Sequence, residues 1–510
     1  MQGVWPVSQI RAAERRVLAG LPDGALMARA ARAVAVEAVG MLGFSYGARV
    51  VLLVGPGDNG GDALYAGAEL SRRGVAVRAV LADPAKAHPG GLAALRAAGG
   101  RQVTLAEAGP HDLIVDGLLG IGARGPVRES FVPLVRWSVD SAAPVLSVDI
   151  ASGVDPDTGA VAGPAVRAAT TLCMGALKAG LLVGQGRVHT GRLRLIDLGL
   201  APELPEPRLH RLERADLVGD LRLPAPGPRD DKYTRGVVGV AAGSQAYPGA
   251  AQLCVGAARL GGVGAVRYAG HAAAEVVRRW PEVIVSDSVY RAGRVQAWVL
   301  GPGLGDTGEA VESLRQVLAS EVAVVIDADG LNLLVERREL LAERSQATVL
   351  TPHDREFERL FGEIGEDRIG AVRRAAADTG ATVLLKGYAT IVAEPSGHCY
   401  LNPVGAAALA TAGSGDVLAG LIGSLLAAGL RPGLAAATGA YLHAAAGARA
   451  AAAGPVVAGD LLGALREEIG SLREESGALR EETGALREET GALRAETGEP
   501  CEATGQPRGV

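Results

Sequence analysis

VVLLVGPGDNGGDALYAGAEL, residues 50–70, joins a run of apolar residues to a glycine-rich turn and then to an alanine-rich stretch. Continuous Val and Leu without polar alternation are typical of a strand buried on both faces of a parallel sheet. A strand, a glycine turn and a helix in this order form the repeating unit of α/β folds. The turn also sets backbone N–H groups at a helix N-terminus, where an anion such as a pyrophosphate can bind.

The same unit recurs on both sides of a single irregular segment. Between residues 49 and 199, the runs VAVRAVLA, DLIVDGLLG and PVLSVDIASG repeat the pattern, and a second series begins with GVVGVAAGS. Residues 201–235 are rich in Pro and charge and lack periodicity, which favours a domain boundary there. The sequence therefore predicts two three-layer α/β domains, residues 1–210 and residues 211–462.

Composition excludes several classes of protein. The 510 residues carry a net charge of −5 without a basic stripe, which argues against nucleic acid or an anionic membrane as the main partner. The apolar run of residues 404–430 contains Asp416 and the motif TAGSGD, which favours a buried helix over a membrane span. No signal peptide is evident, so we expect a cytoplasmic protein. Four cysteines stand far apart without a CxxC pair and suit a reducing compartment: Cys173, Cys254, Cys399 and Cys501.

The C-terminal tail repeats every seven residues. GALREEI, GSLREES, GALREET, GALREET and GALRAET cover residues 463–497. A seven-residue period is typical of coiled coils, but each repeat contains a glycine, which costs about 1 kcal/mol relative to alanine in a helix. Arg and Glu also never stand three or four residues apart, so helical ion pairs are absent. We predict a disordered tail over residues 463–510, with a weak oligomerising coil as the alternative, and we expect a homo-oligomer.

Three predicted strands of the first domain end in acidic or polar residues next to glycines. Because the carboxyl ends of parallel strands form the ligand-binding edge of an open α/β sheet, these side chains are expected to meet there. Oxygen-only ligands suit a hard cation such as K⁺ or Mg²⁺. The residues are Asp58, Asn59, Asp62, Asp116, Asp149 and Ser152.

DNGGDA, DGLLGIGARGP and VDIASG, in this order, resemble motifs of the N-terminal domain of YjeF-type proteins, the NAD(P)H-hydrate epimerases. The resemblance implies a Rossmann-like domain that interconverts the R and S epimers of hydrated NADH and NADPH, with K⁺ on Asn59, Asp116 and Ser152. Asp149 is the candidate acid/base, since a carboxylate near the reacting hydroxyl can shuttle its proton. Asp58 stands where the family has Asn. The implied substrate contacts are Asp58, Asn59, Gly60, Gly61, Asp62, Gly120, Ile121, Gly122, Ala123, Arg124, Gly125, Pro126 and Asp149.

TAGSGD, residues 411–416, is the strongest motif in the chain. Gly413, Ser414 and Gly415 open a long predicted helix, whose exposed N–H groups form an anion hole for a transferring phosphoryl group. Asp416 follows in the first turn, where it can take a proton from a substrate hydroxyl as that oxygen attacks phosphorus. Other candidates follow strands or lie in glycine loops: Gly301, Gly305, Asp327, Asp329, His353, Glu356 and Lys386.

Seven motifs of the second half resemble, in the same order, motifs of the ribokinase-like C-terminal domain of YjeF-type proteins. They are KYTRG, AAGSQAYPGAAQL, GPGLG, DADGLN, LTPHDREFERL, LLKGYAT and TAGSGDVLAG. Those domains are ADP/ATP-dependent NAD(P)H-hydrate dehydratases, so the resemblance implies Mg²⁺ with ADP or ATP as co-substrate. The ring hydroxyl would be phosphorylated and phosphate then lost, leaving NAD(P)H and, from ADP, AMP. The implied substrate contacts are Ala250, Gly305, His353 and Asp416. The implied nucleotide contacts are Lys386, Gly387, Tyr388, Ala389, Thr390 and Gly415.

We therefore predict a bifunctional repair enzyme for hydrated NADH and NADPH. Two alternatives stay open: a ribokinase-class small-molecule kinase with an accessory α/β domain, and a dinucleotide-sensing binding protein with degenerate sites. A kinase would accumulate a phosphorylated product, whereas a dehydratase releases NADH and inorganic phosphate. The Gly-Ser-Gly-Asp motif and Lys386 argue against a binding protein in the second half, while Asp58 leaves it open for the first half.

Overall fold

The computed structural model of the protein describes residues 1–122, 124–219, 223–342, 344–405 and 407–497. Within these ranges, helices surround one sheet of seven strands and one of eleven. Strands of the first half are β1 Gln2–Val4, β2 Arg49–Val54, β3 Ala76–Leu81, β4 Arg101–Val103, β5 Leu113–Gly117, β6 Val145–Val148, β7 Thr170–Met174, β8 Arg192–Ile196 and β9 Leu209–Arg211. Its helices are α1 Val7–Leu18, α2 Ala25–Leu42, α3 Asp58–Arg72, α4 Pro89–Ala97, α5 Val132–Asp140, α6 Gly184–Thr190 and α7 Arg214–Val218.

The second half continues the same alternation of strands and helices. Its strands are β10 Val237–Ala241, β11 Ala265–Ala269, β12 Ile284–Ser286, β13 Ala297–Leu300, β14 Ala323–Ile326, β15 Thr348–Leu350, β16 Thr382–Leu385, β17 Thr390–Ala393 and β18 Cys399–Asn402. Its helices are α8 Pro248–Ala258, α9 Ala273–Arg279, α10 Gly308–Leu318, α11 Asp329–Leu334, α12 Glu339–Ala342, α13 Asp354–Phe361, α14 Arg368–Thr379, α15 Ser414–Ala427, α16 Pro432–Ala453 and α17 Asp460–Thr497.

The seven-stranded sheet is parallel and runs β4-β3-β2-β5-β6-β7-β8. Its centre is apolar because helices cover it; Val50–Val54 of β2 and all of β5 are buried. The strand order reverses between β2 and β5, so the loops after these strands open into a crevice at the carboxyl edge. This is the predicted Rossmann-like arrangement.

The eleven-stranded sheet has a parallel centre and an antiparallel flank. The strands β12-β11-β10-β13-β14-β15-β16 are parallel, and its strand order reverses between β10 and β13. The flank adds β17, β18, β9 and β1, of which only β18 and β9 pair in parallel. Both parallel centres thus provide a crevice of the kind that binds ligands in α/β proteins.

Helix α15 lies in the apolar segment of residues 404–430 and is a buried helix, as predicted. All its residues from Val417 to Ala427 are buried. A Cβ atom added to Gly420 would lie 2.0 Å from the carbonyl oxygen of Cys254, and one added to Gly423 would lie 2.1 Å from a methyl of Val299. These glycines therefore let α15 pack closely on α8 and β13. No helix within the described ranges combines the length and the apolar character needed to cross a bilayer.

Two short strands at or before the predicted domain boundary at residue 210 belong to the second sheet. Strand β9 spans that boundary and pairs with β18 of the second half. Strand β1, at the start of the chain, pairs antiparallel with β9, so residues 2–4 also belong to the second sheet. Three-residue strands are too short to carry a periodic sequence signal, which is why the pattern did not reveal them.

Helix α17 runs through residues 463–497, the part of the tail for which the sequence predicts disorder or, as the alternative, a weak coil. The first repeats pack on the second domain, and Glu468 is buried between Arg214 and Arg449. Packing of this kind stabilises a helix whose intrinsic propensity is poor. The buried apolar residues are Leu461, Leu465, Ile469 and Leu472. Residues 498–510, including Cys501, lie outside the described ranges; the other three cysteines are buried free thiols.

Candidate active sites

The first candidate site lies at the switch point of the seven-stranded sheet. Helix α3 begins at Asp58 directly after the glycine turn that follows β2, and Asp58 is exposed whereas Asp62 is buried. A Cβ atom on Gly60 would lie 2.0 Å from the carbonyl oxygen of Gly55, so only glycine permits this approach of helix to strand. The first N–H groups of α3 therefore stand at the carboxyl edge of the sheet, as an anion site requires.

Asp149 follows β6 in the left-handed region of backbone space, with φ of 67°. This conformation is uncommon for a residue other than glycine and often marks a functional position. One carboxylate oxygen accepts the backbone N–H of Met174 at 3.1 Å, and the other accepts that of Ile121 at 3.2 Å. Lys178 completes the set with an ion pair to Asp149. The surroundings thus hold the carboxylate in one orientation.

Sequence reasoning missed Lys178, which is 1% exposed and is the charged partner of Asp149. Its ammonium also donates to the carbonyl oxygen of Met174 at 2.8 Å. Burial disfavours the charge, but Asp149, together with Cys173 and Glu14, outweighs it and raises the pKa of Lys178 above its ordinary value. The available signal was a single lysine inside the apolar run TLCMGALKAG, since lysine is almost never fully buried without a partner.

Further carboxyl groups surround this pair. Asp62 on α3 is buried, and its Oδ1 has no hydrogen-bond partner among the described atoms. Burial, followed by the charges of Asp149, Asp58 and Glu14, raises the pKa of Asp62 well above its ordinary value. Burial also raises the pKa of Glu14 on α1, and Lys178 opposes that shift. Helix α1, which the motifs did not implicate, therefore contributes a carboxyl group to the site.

Two of the three predicted cation ligands contact one loop residue, Leu119, and the third, Asp116, accepts from its neighbour Leu118 and from Ser152. The Asn59 amide donates to the carbonyl oxygen of Leu119 at 2.9 Å, and the Ser152 hydroxyl accepts the N–H of Leu119 at 3.0 Å. Asp116 is fully buried and accepts from the hydroxyls of Ser152 at 2.7 Å and Ser147 at 2.9 Å. Burial raises the pKa of Asp116, and no ion pair of the described residues involves it. A buried carboxylate with amide and hydroxyl oxygens beside it is a donor set that fits K⁺.

The first residues of the second glycine loop lie at the site. Gly120 lies beside Asn59, and the Ile121 N–H donates to Asp149. Gly122 is exposed next to the guanidinium of Arg11 from α1. Arg124 turns outward to an ion pair with Asp157 at 2.8 Å, while Gly125 and Pro126 are exposed. Ala123, predicted to contact the substrate, lies outside the described residues.

The second candidate site forms around the start of α15. Gly413 is the N-cap residue with φ of 86°, and residues 413–416 are half-buried, so the motif is partly accessible and does not lie in a packed interior. The Ser414 hydroxyl donates to the carbonyl oxygen of Leu409 at 2.7 Å, which fixes the turn. A Cβ atom added to Gly415 would lie 3.4 Å from the ammonium of Lys386. The anion hole therefore has a cation directly beside it.

The lysine of this site forms ion pairs with two of its carboxylates but not with Asp416. Lys386 lies 2.7 Å from Asp327 and 3.7 Å from Glu356, whereas no ion pair of the described residues involves Asp416. Burial, followed by the charge of Asp327, raises the pKa of Asp416 to about 7, although Lys386 opposes the shift. A carboxyl group that titrates near neutral pH is suited to act as a general base.

Two of the predicted substrate contacts, Ala250 and Gly305, lie in the segments that follow β10 and β13, at the switch point of the sheet. A third, His353, follows β15. A Cβ atom on Gly303 would lie 2.6 Å from that of Ala250, and the Gly305 N–H donates to Asp329 at 2.9 Å. His353 is half-exposed and caps α13, where its ring accepts the backbone N–H of Glu356 at 3.3 Å. The cap orients the imidazole and leaves its exposed face available to a ligand.

The predicted nucleotide loop, residues 386–390, is the turn between β16 and β17. Gly387 and Tyr388 are exposed, whereas Ala389 is buried and Thr390 is half-buried. The Tyr388 ring packs over Gly405, where an added Cβ atom would come within 2.4 Å of it. Among the described residues, no group of three or more His, Cys, Asp or Glu side chains has the geometry of a metal site. Mg²⁺ commonly binds through one or two carboxylates together with substrate phosphates.

Two protein families match the chain in sequence. The family described as the YjeF-related protein N-terminus matches residues 23–180, and the family described as NAD(P)H-hydrate dehydratase matches residues 238–469. The bifunctional NAD(P)H-hydrate repair enzyme Nnr of Mycobacterium tuberculosis is 49% identical over 432 residues, with 83% of this chain and 89% of that protein covered. Its counterpart in Mycobacterium leprae is 47% identical with the same coverage. A solved ADP/ATP-dependent NAD(P)H-hydrate dehydratase from Bacillus subtilis is 27% identical, covering 51% of this chain and 97% of that one, with a TM-score of 0.46.

Fold and site define an α/β enzyme with two separate crevices, each containing carboxylates and a lysine at the carboxyl edge of a parallel sheet. The chain belongs to the family of bifunctional NAD(P)H-hydrate repair enzymes. The prediction of an epimerase joined to a dehydratase is confirmed at this level. The kinase and the binding protein that the sequence left open are therefore not the function of this chain.

Proposed function

We propose that the first site interconverts the R and S epimers of hydrated NADH and NADPH, and that the second site removes water from the S epimer using ADP or ATP. The activities divide near residue 210, with β1 and β9 contributing strands to the second sheet. The observation that carries the proposal is that one chain contains two sites whose candidate catalytic carboxyl groups have different surroundings. Asp149 is held in an ion pair with Lys178, whereas Asp416 titrates near neutrality beside a glycine-lined helix start.

In the epimerase site, Asp149 acts as acid and base on the ring hydroxyl. Its fixed orientation, set by the N–H groups of Met174 and Ile121, aims one carboxylate at a single position in the crevice. Lys178 supports the negative charge that the carboxylate regains after each proton transfer. Positioned proton transfer of this kind accelerates reactions by about 10²–10⁴-fold.

Asn59, Asp116 and Ser152 are the proposed ligands of K⁺ in this site, because they place amide, carboxylate and hydroxyl oxygens around one loop. A bound K⁺ would offset part of the negative charge of Asp58 and so favour an anionic substrate. The protein residues hold the loop that contains Leu119 and Gly120. This loop connects the proposed K⁺ ligands with the residues proposed to bind the substrate.

In the dehydratase site, Asp416 removes the proton of the ring hydroxyl as that oxygen attacks the terminal phosphoryl group. The N–H groups at the start of α15 and the ammonium of Lys386 stabilise the charge that develops on the phosphoryl oxygens. Hydroxide is a poor leaving group and phosphate a good one, so phosphorylation prepares the loss that restores the reduced nicotinamide. Mg²⁺ supplied with the nucleotide neutralises phosphate charge.

Three points stay proposals of their own: a cytoplasmic location, a homo-oligomeric state, and the choice between ADP and ATP. The three buried free thiols suit a reducing compartment. Sedimentation velocity measures the oligomeric state, and parallel assays with each nucleotide measure the preference.

Incubation of mixed NADHX epimers with the protein, Mg²⁺ and ADP or ATP tests the proposed function. We expect the absorbance of reduced nicotinamide to return for both epimers, with one inorganic phosphate released per NADH. Accumulation of a stable phosphorylated dinucleotide would contradict the dehydratase.

Asp149→Asn separates the two activities. Because the amide cannot exchange protons, we expect conversion of the R epimer to slow by about 100-fold or more while the S epimer is dehydrated as before. Unchanged recovery of the R epimer would remove Asp149 from the mechanism.

A further inference from the structure

Asp62 and Asp149 lie in one charged cluster but are surrounded in opposite ways. Asp149 receives two backbone N–H groups and the ammonium of Lys178. Asp62 is buried, its Oδ1 has no partner among the described atoms, and the charges that act on it are the carboxylates of Asp58, Asp149 and Glu14. Such surroundings favour the protonated form of Asp62, whereas they provide Asp149 with a charged partner and two N–H donors.

We propose that Asp62 is a second catalytic residue of the epimerase: a carboxylic acid that protonates the departing ring hydroxyl, while Asp149 is the base that acts on the returning water. This inference rests on the proposed epimerase function and deepens it. A pair of carboxyl groups whose environments separate their protonation states is the arrangement that acid/base catalysis uses.

The step balances without any redox partner. The Asp62 carboxyl gives its proton to the ring hydroxyl, the carbon–oxygen bond breaks, and water leaves while the lone pair of the adjacent ring nitrogen forms a cationic C=N bond. Water then adds to the opposite face of that carbon, Asp149 takes one of its protons, and the electron pair returns to nitrogen. Solvent restores the starting protonation of both carboxyl groups, and the reverse reaction exchanges their roles.

The position of Asp62 fits this role. It stands in the second turn of α3, directly after Gly60 and Gly61, one turn from the helix start at the carboxyl edge of the sheet. The titratable groups around it are Glu14 from α1, Asp58 from α3 and Asp149 after β6; the ring of His88, which precedes α4, lies against Gly61. Lys178 and Arg11 both act on the cluster as cations, and the added proton of Asp62 further limits the repulsion among its carboxylates.

A pH profile follows directly. As the pH rises through the titration of Asp62, the acid is lost and epimerisation should decline on the alkaline side. The dehydratase depends on a base, Asp416, so its rate should instead increase as the pH rises past about 7. The two activities of one chain should therefore respond to pH in opposite directions.

Asp62→Asn tests the proposal in the full-length protein, with R-NADHX as substrate and the dehydration of S-NADHX as the internal control for folding. We expect epimerisation to fall by about 100-fold or more in kcat, with little change in KM, and the residual rate to lose its alkaline decline. Exchange of ¹⁸O from labelled water into the ring hydroxyl should fall in parallel, since it reports the same bond cleavage. Asp62→Glu, which restores a proton, should recover part of the rate.

Asp58→Asn is the matched comparison, because Asp58 is a carboxylate of the same turn but is exposed. We expect it to keep the alkaline decline whatever its effect on KM. A rise in KM alone for Asp62→Asn, with kcat and the pH profile intact, would overturn the inference and leave Asp62 as a binding residue. A wild-type protein that leaves R-NADHX unchanged would overturn the proposed epimerase as well, which distinguishes the two failures.

Discussion

The two crevices of this protein contain the same residue types and allocate them differently. In the first, Lys178 pairs with Asp149, the residue proposed to act on the substrate. In the second, Lys386 pairs with Asp327, and Asp416 is left to burial and to neighbouring carboxylates that raise its pKa to about 7. The difference teaches that the position of the lysine decides which carboxyl group is held in an ion pair and which one is left with a raised pKa.

Asp416→Ala should have the largest effect on this comparison. Loss of the base should slow ADP- or ATP-dependent NADH release by about 10⁴-fold at the upper limit of general-base effects, while binding of the dinucleotide and epimerisation persist. Single-turnover assays with S-NADHX measure the first effect, and ligand titration measures the second. Normal turnover would show that Asp416 is not the base.

The pH response sharpens the same point. Because Asp416 must be ionised to accept a proton, the dehydratase rate should increase through about pH 7. Lys386 holds the pKa of Asp416 down, so Lys386→Met should move this increase to higher pH. An unchanged midpoint in the Lys386 variant would contradict the electrostatic coupling between the two side chains.

Lys178→Met should lower stability more than any other substitution considered in the first site. It leaves the buried Asp149 without a cation, and breaking a buried ion pair from one side costs about 3–5 kcal/mol of unfolding free energy. Epimerase activity should be lost as well. Chemical denaturation followed by circular dichroism measures the destabilisation.

The double variant Lys178→Met, Asp149→Asn is the control for that result. Removing both charges leaves no unpaired ion, so most of the stability should return while epimerisation stays absent. Equal destabilisation of the single and double variants would mean that the loss comes from packing around Lys178 and not from the ion pair.

Parts of the fold and the sites that produce a local pattern could be predicted from the sequence. The run of residues 50–70 identifies a buried parallel strand and the helix after it, because only such strands are continuously apolar. TAGSGD places a helix start, and α15 begins at Ser414 as expected. In both sites the residues identified are those that follow strands or open helices.

Parts that depend on contacts between distant segments could not be predicted. Lys178 and Glu14 stand alone among apolar or helical residues, and only the folded chain brings them to Asp149. Strand β1 pairs with β9 about two hundred residues away. Helix α17 forms because Arg214 and apolar packing hold its first repeats, although its glycines disfavour a helix.

Truncation of α17 tests whether the two crevices are independent. A chain ending at Arg466 loses Glu468 and the buried Ile469 and Leu472, which should cost about 3 kcal/mol of stability at the lower end for two apolar side chains. All of these contacts lie in the second domain, so dehydration should become heat-labile while epimerisation is retained. A chain ending at Ser476 keeps them and serves as the control; equal lability of both truncations would contradict a packing role for the first repeats.

Asp62→Asn should have the smallest effect of the set on the free energy of unfolding, and the sign of that effect follows from the pKa shift of Asp62. Burial raises the pKa of Asp62 in the folded state, so the wild type binds a proton there that the unfolded chain has already released above its ordinary pKa. Wild-type stability should therefore decline as the pH rises from that ordinary value through the raised one, by about 1.4 kcal/mol per pH unit. The asparagine variant lacks this titration, so its advantage over the wild type should grow with pH across that window and then level off. Denaturation at a series of pH values measures the difference in unfolding free energy between the variant and the wild type. An advantage of the variant that shrinks as the pH rises would mean that Asp62 is ionised in the folded protein. That result would contradict the effect expected from its unpartnered oxygen and its carboxylate neighbours.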